Sequence, residues 1–142
     1  YNRPGYIQMG TTSGAGSFKI SLNTVSLARN KTTSATVTFK ACAFNATGKT
    51  EDAKISINLY AKSSASVGPC EITGTETVTI PYDPSYTWKE YTVTVTTNKT
   101  EDGTDAGIAS IKYNYPKVLT FSTANNGNGY VRVFIDDVKI NS

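Results

Sequence analysis

The chain contains no histidine. That single absence removes Ser-His-Asp and Cys-His catalytic arrangements and any histidine general base. With only two cysteines, Cys42 and Cys70, a four-ligand Cys/His zinc centre cannot be assembled either. The two cysteines leave a disulfide and a pair of thiols equally open, so they do not fix the redox compartment. No apolar run approaches the ~18 residues that a membrane helix requires, and no membrane span is expected. Acid is missing from the whole first third: residues 1–50 hold six Lys or Arg and no carboxylate, the first being Glu51. The remainder holds eight bases against eleven acids. A basic half raises nucleic acid as a partner, but these charges are scattered through Thr/Ser-rich stretches with no cluster and no RNA-type aromatic motif. No nucleic acid is expected.

Any catalysis would have to rest on carboxylates, as in glycoside hydrolysis, where two acids face each other across a bond. Most acids stand in turn-like contexts: Glu51 and Asp52, Asp83, Glu101 and Asp102, Asp105. Asp136 and Asp137 are the adjacent pair that sits inside a strand pattern. Neighbours in a strand point to opposite faces, so they cannot flank one substrate unless the strand is bulged. An enzyme is not expected.

What is present is strand chemistry. Hydrophobic content is 38% and charged content 18% in 142 residues, enough for one domain, residues 1–142, with a surface of Thr, Ser and Asn. "SATVTFKACAF" sets Val37, Phe39, Ala41 and Ala43 against Thr36, Thr38, Lys40 and Cys42. "AKISINLYAK" sets Ile55, Ile57 and Leu59 against Ser56, Asn58 and Tyr60. "ETVTIPY", "WKEYTVTVTT", "KVLTFST" and the short "GYIQMG" and "GSFKISL" continue the alternation, while helical periodicity is scarce. The joints "NATGKTED", "SSASVGPC", "PYDPSYT", "TNKTEDGTDAG" and "ANNGNG" are turn signals. The spacing predicts about nine strands in an antiparallel β-sandwich. KTED, at 49–52 and 99–102, has unmatched flanks and reads as two solvated loops. Asn30, Asn45 and Asn98 each begin an N-x-T sequon, as expected by chance in a Thr-rich chain.

The last strand pattern, "YVRVFIDDVKI", changes parity. Val131, Val133 and Ile135 are odd, whereas Val138 and Ile140 are even. One inserted residue, a β-bulge at Asp136 and Asp137, restores a single core-facing side. Phe134 then falls on the opposite face.

Neutral glycans are held by aromatic faces stacked on sugar rings, with amides and hydroxyls on the sugar hydroxyls. Tyr82, Tyr86 and Trp88 surround the loop marked by Pro81 and Pro84, and Tyr113 and Tyr115 precede Pro116. Tyr113 and Tyr115 share one face at ~7 Å if extended. Trp88 reads equally as a strand-start residue packed at the sandwich edge, and "NNGNG" is foremost a hairpin signal.

"TWKEYTVTV", "LTFST" and "GYVRVFIDDVKI" together resemble the end of the jelly-roll sandwiches grouped as galactose-binding-like domains. "GYIQMGTTSGAGSFKI" is similar to the first strands of surface modules of Bacteroides-type bacteria in that group. The resemblance implies a jelly roll that serves as a non-catalytic carbohydrate-binding module. It implies a larger secreted or cell-surface bacterial protein, with neighbouring domains in the same chain and a glycan or polysaccharide as partner. The alternative is a structural or adhesive sandwich with no small ligand. If the domain is such a module, Tyr82, Tyr86, Trp88, Tyr113 and Tyr115 are the expected ligand-binding residues, because they cluster around the two proline-marked loops. It also implies a structural calcium ion at Asp136 and Asp137. The sequence departs from that pattern, because an acid from the first strands commonly completes such a site and none precedes Glu51. The chain starts at Tyr1 with no charged leader and apolar stretch, so a signal peptide is expected to have been removed.

Overall fold

A computed structural model describes residues 5–10, 15–22, 34–45, 48–62, 71–97, 117–123 and 131–141. They form eight strands: β1 (Ile7–Met9), β2 (Ser17–Leu22), β3 (Ser34–Asn45), β4 (Ala53–Lys62), β5 (Glu71–Ile80), β6 (Lys89–Thr96), β7 (Lys117–Thr123) and β8 (Val131–Asn141). Among the described residues there is no helix, and the strand count is one below the expected nine or so. One sheet runs β1-β8-β3-β6 and the other β2-β7-β4-β5. Every neighbouring pair is antiparallel. This order, with two sheets sharing alternate strands, is an eight-stranded jelly roll. The last strand lies inside its sheet, between β1 and β3.

The alternation read from the sequence becomes the space between the sheets. Val37, Phe39, Ala41 and Ala43 of β3, Ile55, Ile57 and Leu59 of β4, and Leu119 and Phe121 of β7 are all buried there. Phe121 is the hub. Its ring stacks on Phe18 at 4.6 Å and meets Phe39 edge-on at 5.7 Å, and Phe39 in turn stacks on Tyr91. Each such fully buried side chain contributes roughly 1.5–3 kcal/mol by leaving water, which makes this seam the main source of stability. The solvent faces are threonine-rich. Ser34–Thr96, Thr36–Thr94 and Thr38–Thr92 hydroxyls pair across β3 and β6 at 2.8, 3.0 and 3.1 Å. Such cross-strand pairs hold register at the open edge of the sheet.

The parity switch in β8 is a bulge. Thr38 faces Lys139 and Lys40 faces Asp136, so β8 uses one residue more than β3 over that step. Val133 and Ile135 before it are buried, and Val138 and Ile140 after it still pack on the core. Asp137 takes a left-handed backbone, φ 52°, a conformation that aspartate tolerates better than branched residues. The Asp137 amide donates to Asp136 Oδ1 at 2.8 Å, and Lys40 Nζ lies 3.1 Å from Asp137 Oδ2. The two sheets close upon each other at a glycine. A Cβ on Gly74 of β5 would stand 2.1 Å from the Thr96 backbone oxygen, so only glycine allows β5 and β6 to come this close.

Candidate functional site

The outer face of the β1-β8-β3-β6 sheet changes character along its length. Around β3 and β6 it is the threonine ladder. Toward the other end it becomes aromatic, because the outward parity of β3 and β8 there falls on Phe44 and Phe134. Trp88 meets Tyr6 at 6.0 Å between ring centroids, Tyr6 meets Phe134 edge-on at 5.2 Å, Phe134 meets Phe44 at 5.5 Å, and Phe44 meets Tyr86 at 5.2 Å. The row draws on four places in the chain: the approach to β1, the strands β8 and β3, and the β5–β6 loop. Its ends are the most open, with Tyr86 45% and Trp88 39% exposed. Cys42 shares the outward parity and faces Phe134 in the ladder, yet it is only 4% exposed. A thiol on a wetted face would not be; this one is closed off from water. Burial pushes its thiol above the ordinary range, with the charge of Asp83 adding to the effect. Cys42 is a free thiol; Cys70 lies outside the described residues.

Beside Phe44 the row opens into a cleft of about 500 Å³, lined by Phe44, Asn45, Gly48, Lys49, Tyr82, Tyr86 and Arg132. Two loops form its wall. The β5–β6 loop is shaped by Asp83, whose Oδ1 accepts from the Ser85 amide at 2.8 Å and whose Oδ2 accepts from the Thr87 amide at 3.2 Å. These bonds, the Ser85 amide first, hold the Asp83 carboxyl below the usual carboxylate range. Tyr86 follows with its amide on the Asp83 carbonyl at 3.1 Å and a left-handed φ of 51°. Its ring lies 5.2 Å from that of Phe44. The β3–β4 loop is tied to this one by the Tyr82 amide, which donates to Asp52 Oδ1 at 2.8 Å. Asn45 Nδ2 donates to the Glu51 carbonyl at 2.7 Å and anchors the same loop from below. The first KTED segment is solvent-exposed at Thr50, Glu51 and Asp52, as expected of a loop, while Lys49 lines the cleft.

Arg132 lies over the Phe44 ring, its guanidinium carbon 5.5 Å from the centroid, in a cation–π arrangement. Two polar atoms of the lining are buried without a hydrogen-bond partner, Asn45 Oδ1 and Arg132 Nε. Each such atom costs on the order of 1–3 kcal/mol where it stays unmet, which makes this end of the molecule energetically unfinished.

Of the residues singled out from the sequence, Tyr82 and Tyr86 line the cleft together. Trp88 stands just before β6, two residues after Tyr86, with its ring against Tyr6. Tyr113 and Tyr115 lie outside the described residues. Tyr6, Phe44, Asn45, Phe134 and Arg132 were missed. The available signal was an aromatic at outward parity in two separate strands. Asn45 of the sequon is 6% exposed with its amide nitrogen engaged, so in the folded domain that nitrogen is no open acceptor for a glycan.

The donors of the expected calcium site are already engaged. Asp137 already carries an ammonium on Oδ2, and Asp136 Oδ1 accepts a backbone amide. Among the described residues, no group of three or more His, Cys, Asp or Glu suited to a metal is present. Calcium takes about six to eight oxygens, several of them carboxylate. The described donors do not fit it.

The strand order defines a fold class: a jelly-roll β-sandwich of the kind found in carbohydrate-binding modules. Over its full length the chain superposes on a family 16 carbohydrate-binding module, with a TM-score of 0.53, 10% identity and 79% of that chain covered. It is also similar to a Bacteroides thetaiotaomicron protein provisionally described as a glycoside hydrolase, at TM-score 0.46 and 12% identity, over 86% of this chain and 40% of that one. A third similar structure is a family 11 carbohydrate-binding module from Clostridium thermocellum in complex with a β-1,3-1,4-mixed-linked tetrasaccharide. There the TM-score is 0.45 and the identity 11%, over 98% of this chain and 89% of that one. No family model and no curated protein sequence matches the chain. At such identities the likeness is one of fold.

Proposed function

We propose that this domain is a non-catalytic carbohydrate-binding module of a secreted or cell-surface bacterial protein, working beside neighbouring domains of the same chain. Its ligand is a glycan or polysaccharide lying on the outer face of the β1-β8-β3-β6 sheet. The observation that carries the reading is the aromatic row from Trp88 to Tyr86 leading into a cleft that also presents an amide and two cations. Rings half-open to water offer apolar faces to sugar C–H groups, while the cleft side chains meet hydroxyls. Shared architecture with a carbohydrate-binding module supports the same reading. Sugar hydrolysis would need two carboxylates facing each other across the bond. The described lining of the cleft offers none.

A glycan array probed with the domain tests the reading. The expected result is retention on a subset of glycans, lost when Phe44 and Tyr86 are both replaced by alanine. The competing view, a spacer or adhesive sandwich without a small ligand, draws on the self-paired threonine ladder that covers the rest of the same face. An array with no retained glycan decides for the spacer.

A further inference from the structure

Charge distinguishes this cleft from a generic sugar site. Two of its lining side chains are cations, Lys49 and Arg132, and none is an acid. Three carboxylates in the loops around the cleft each accept at least one backbone amide. Asp52 Oδ1 accepts from the Tyr82 amide, Glu51 Oε2 from the Thr50 amide, and both oxygens of Asp83 from its own turn. Those three acids belong to the loops that form the wall but do not line the cleft. The sequence leading into β8, "ANNGNGY" at 124–130, contains no acid either.

Arg132 is the sharper observation. Among the described residues its guanidinium has no carboxylate partner, and the contact that positions it is the face of Phe44. Its Nε is buried without a partner. An arginine held over a ring, with no carboxylate on it, keeps donors of its fork for an oxyanion, which it can meet with two parallel hydrogen bonds. Asn45, nine-tenths buried at the floor with Oδ1 unpartnered, supplies an acceptor for a neighbouring hydroxyl. Both residues line the cleft, so a ligand seated there lies beside them.

Resting on the carbohydrate reading above, we infer that the cleft is a subsite for an acidic sugar unit, whose carboxylate or sulfate pairs with Arg132 while the ring stacks on Tyr86 or Tyr82. A uronic acid and a sulfated sugar share that oxyanion chemistry, and the experiment separates them.

The test is titration calorimetry on the unaltered domain with three sets of oligosaccharides: oligouronides, the same oligomers after reduction of their carboxyl groups, and sulfated oligomers. The expected result is that an acidic oligomer binds about tenfold or more tighter than its reduced counterpart, the scale of a charge-assisted pair. That margin should shrink as salt is raised from low to high, since the pair is reached from solvent. Arg132→Gln should erase the margin, and Arg132→Lys should restore only part of it because lysine lacks the fork. Tighter binding of sulfated than of uronate oligomers assigns the oxyanion to sulfate. Equal or tighter binding of the reduced, neutral oligomers overturns the acidic subsite and leaves the carbohydrate module standing. No binding in any set overturns both. The comparison of native and reduced ligands needs no variant, so a misfolded Arg132 substitution does not blunt it.

Discussion

Replacing Tyr86 by alanine separates a binding ring from a structural one. The ring is 45% exposed and touches Phe44 from one side at 5.2 Å, tilted by 35°. An aromatic side chain buries on the order of 200 Å² when fully covered, so close to half remains for a ligand. A sugar covers one face of what is open, roughly 50 Å², and at about 25 cal/mol per Å² that is worth about 1 kcal/mol, or five- to tenfold in affinity. Loss of the contact with Phe44 costs stability by about 0.5–1.5 kcal/mol, a drop of a few degrees in melting temperature. Alanine keeps the strained φ at position 86, so no relief of strain confuses the comparison. Calorimetry with a glycan found on the array gives the first number, and thermal unfolding gives the second. Tyr86→Phe keeps the face and should bind nearly as well as the parent. Two results would refute the reasoning: an unchanged affinity in the alanine variant, or a stability loss of the ~3–5 kcal/mol size expected for a core ring such as Phe121.

Four further outcomes follow from the same geometry. Gly74→Ala should destabilise the domain by about 1–3 kcal/mol in urea, because the new methyl meets the Thr96 backbone and not a movable side chain; an unchanged midpoint counts against the close approach of β5 and β6. At the bulge, Asp137→Val should cost about 1–2 kcal/mol more than Asp137→Gly, since valine resists a φ of 52° and glycine does not; equal costs would place the strain elsewhere. Asp83 is held below the usual carboxylate range, so its contribution is present above the unfolded carboxyl's pKa and is lost as pH falls through the lower folded value. Asp83→Asn should therefore flatten the acid limb of the stability curve, and a parallel limb in the two proteins would show that the turn does not titrate with folding. Adding calcium or a chelator should leave the melting temperature where it is, and a rise with calcium would show that oxygens beyond the described donors complete a site.

Strand alternation made the core legible because each inward residue needs only its neighbours two positions away to declare its face. The bulge was legible for the same reason: Val133 and Ile135 against Val138 and Ile140 is a local contradiction that one extra residue resolves. The reason for two acids there is local as well, since Asp136 receives the next amide and Asp137 accepts the turned backbone and Lys40. The cleft was only half legible. Tyr82 and Tyr86 stood out through the prolines beside them, but Phe44 and Phe134 each looked like one exception on a polar face. Their meaning depends on β3 lying next to β8 with Phe44 opposite Arg132. No window on the sequence contains that register. Cys42, for which a disulfide and a free thiol stood equally open, is a buried free thiol, an outcome that strand alternation alone could not decide.

The jelly-roll order sets when the cleft comes into being. Phe44 and Arg132 meet only once β8 has been laid between β1 and β3, a pairing that joins a strand from the first third of the chain to the last strand. Loop-closure entropy must be overcome before such distant partners reward one another, so sandwiches of this topology fold slowly. A chain that has formed the β4–β5 hairpin but not yet seated β8 has tyrosines at one wall and nothing opposite them. Competence to hold a ligand should therefore appear with the final long-range pairing during refolding, later than β-structure itself. A captured ligand would in turn act as a clasp on that pairing, slowing the release of β8 more than the fraying of any other strand.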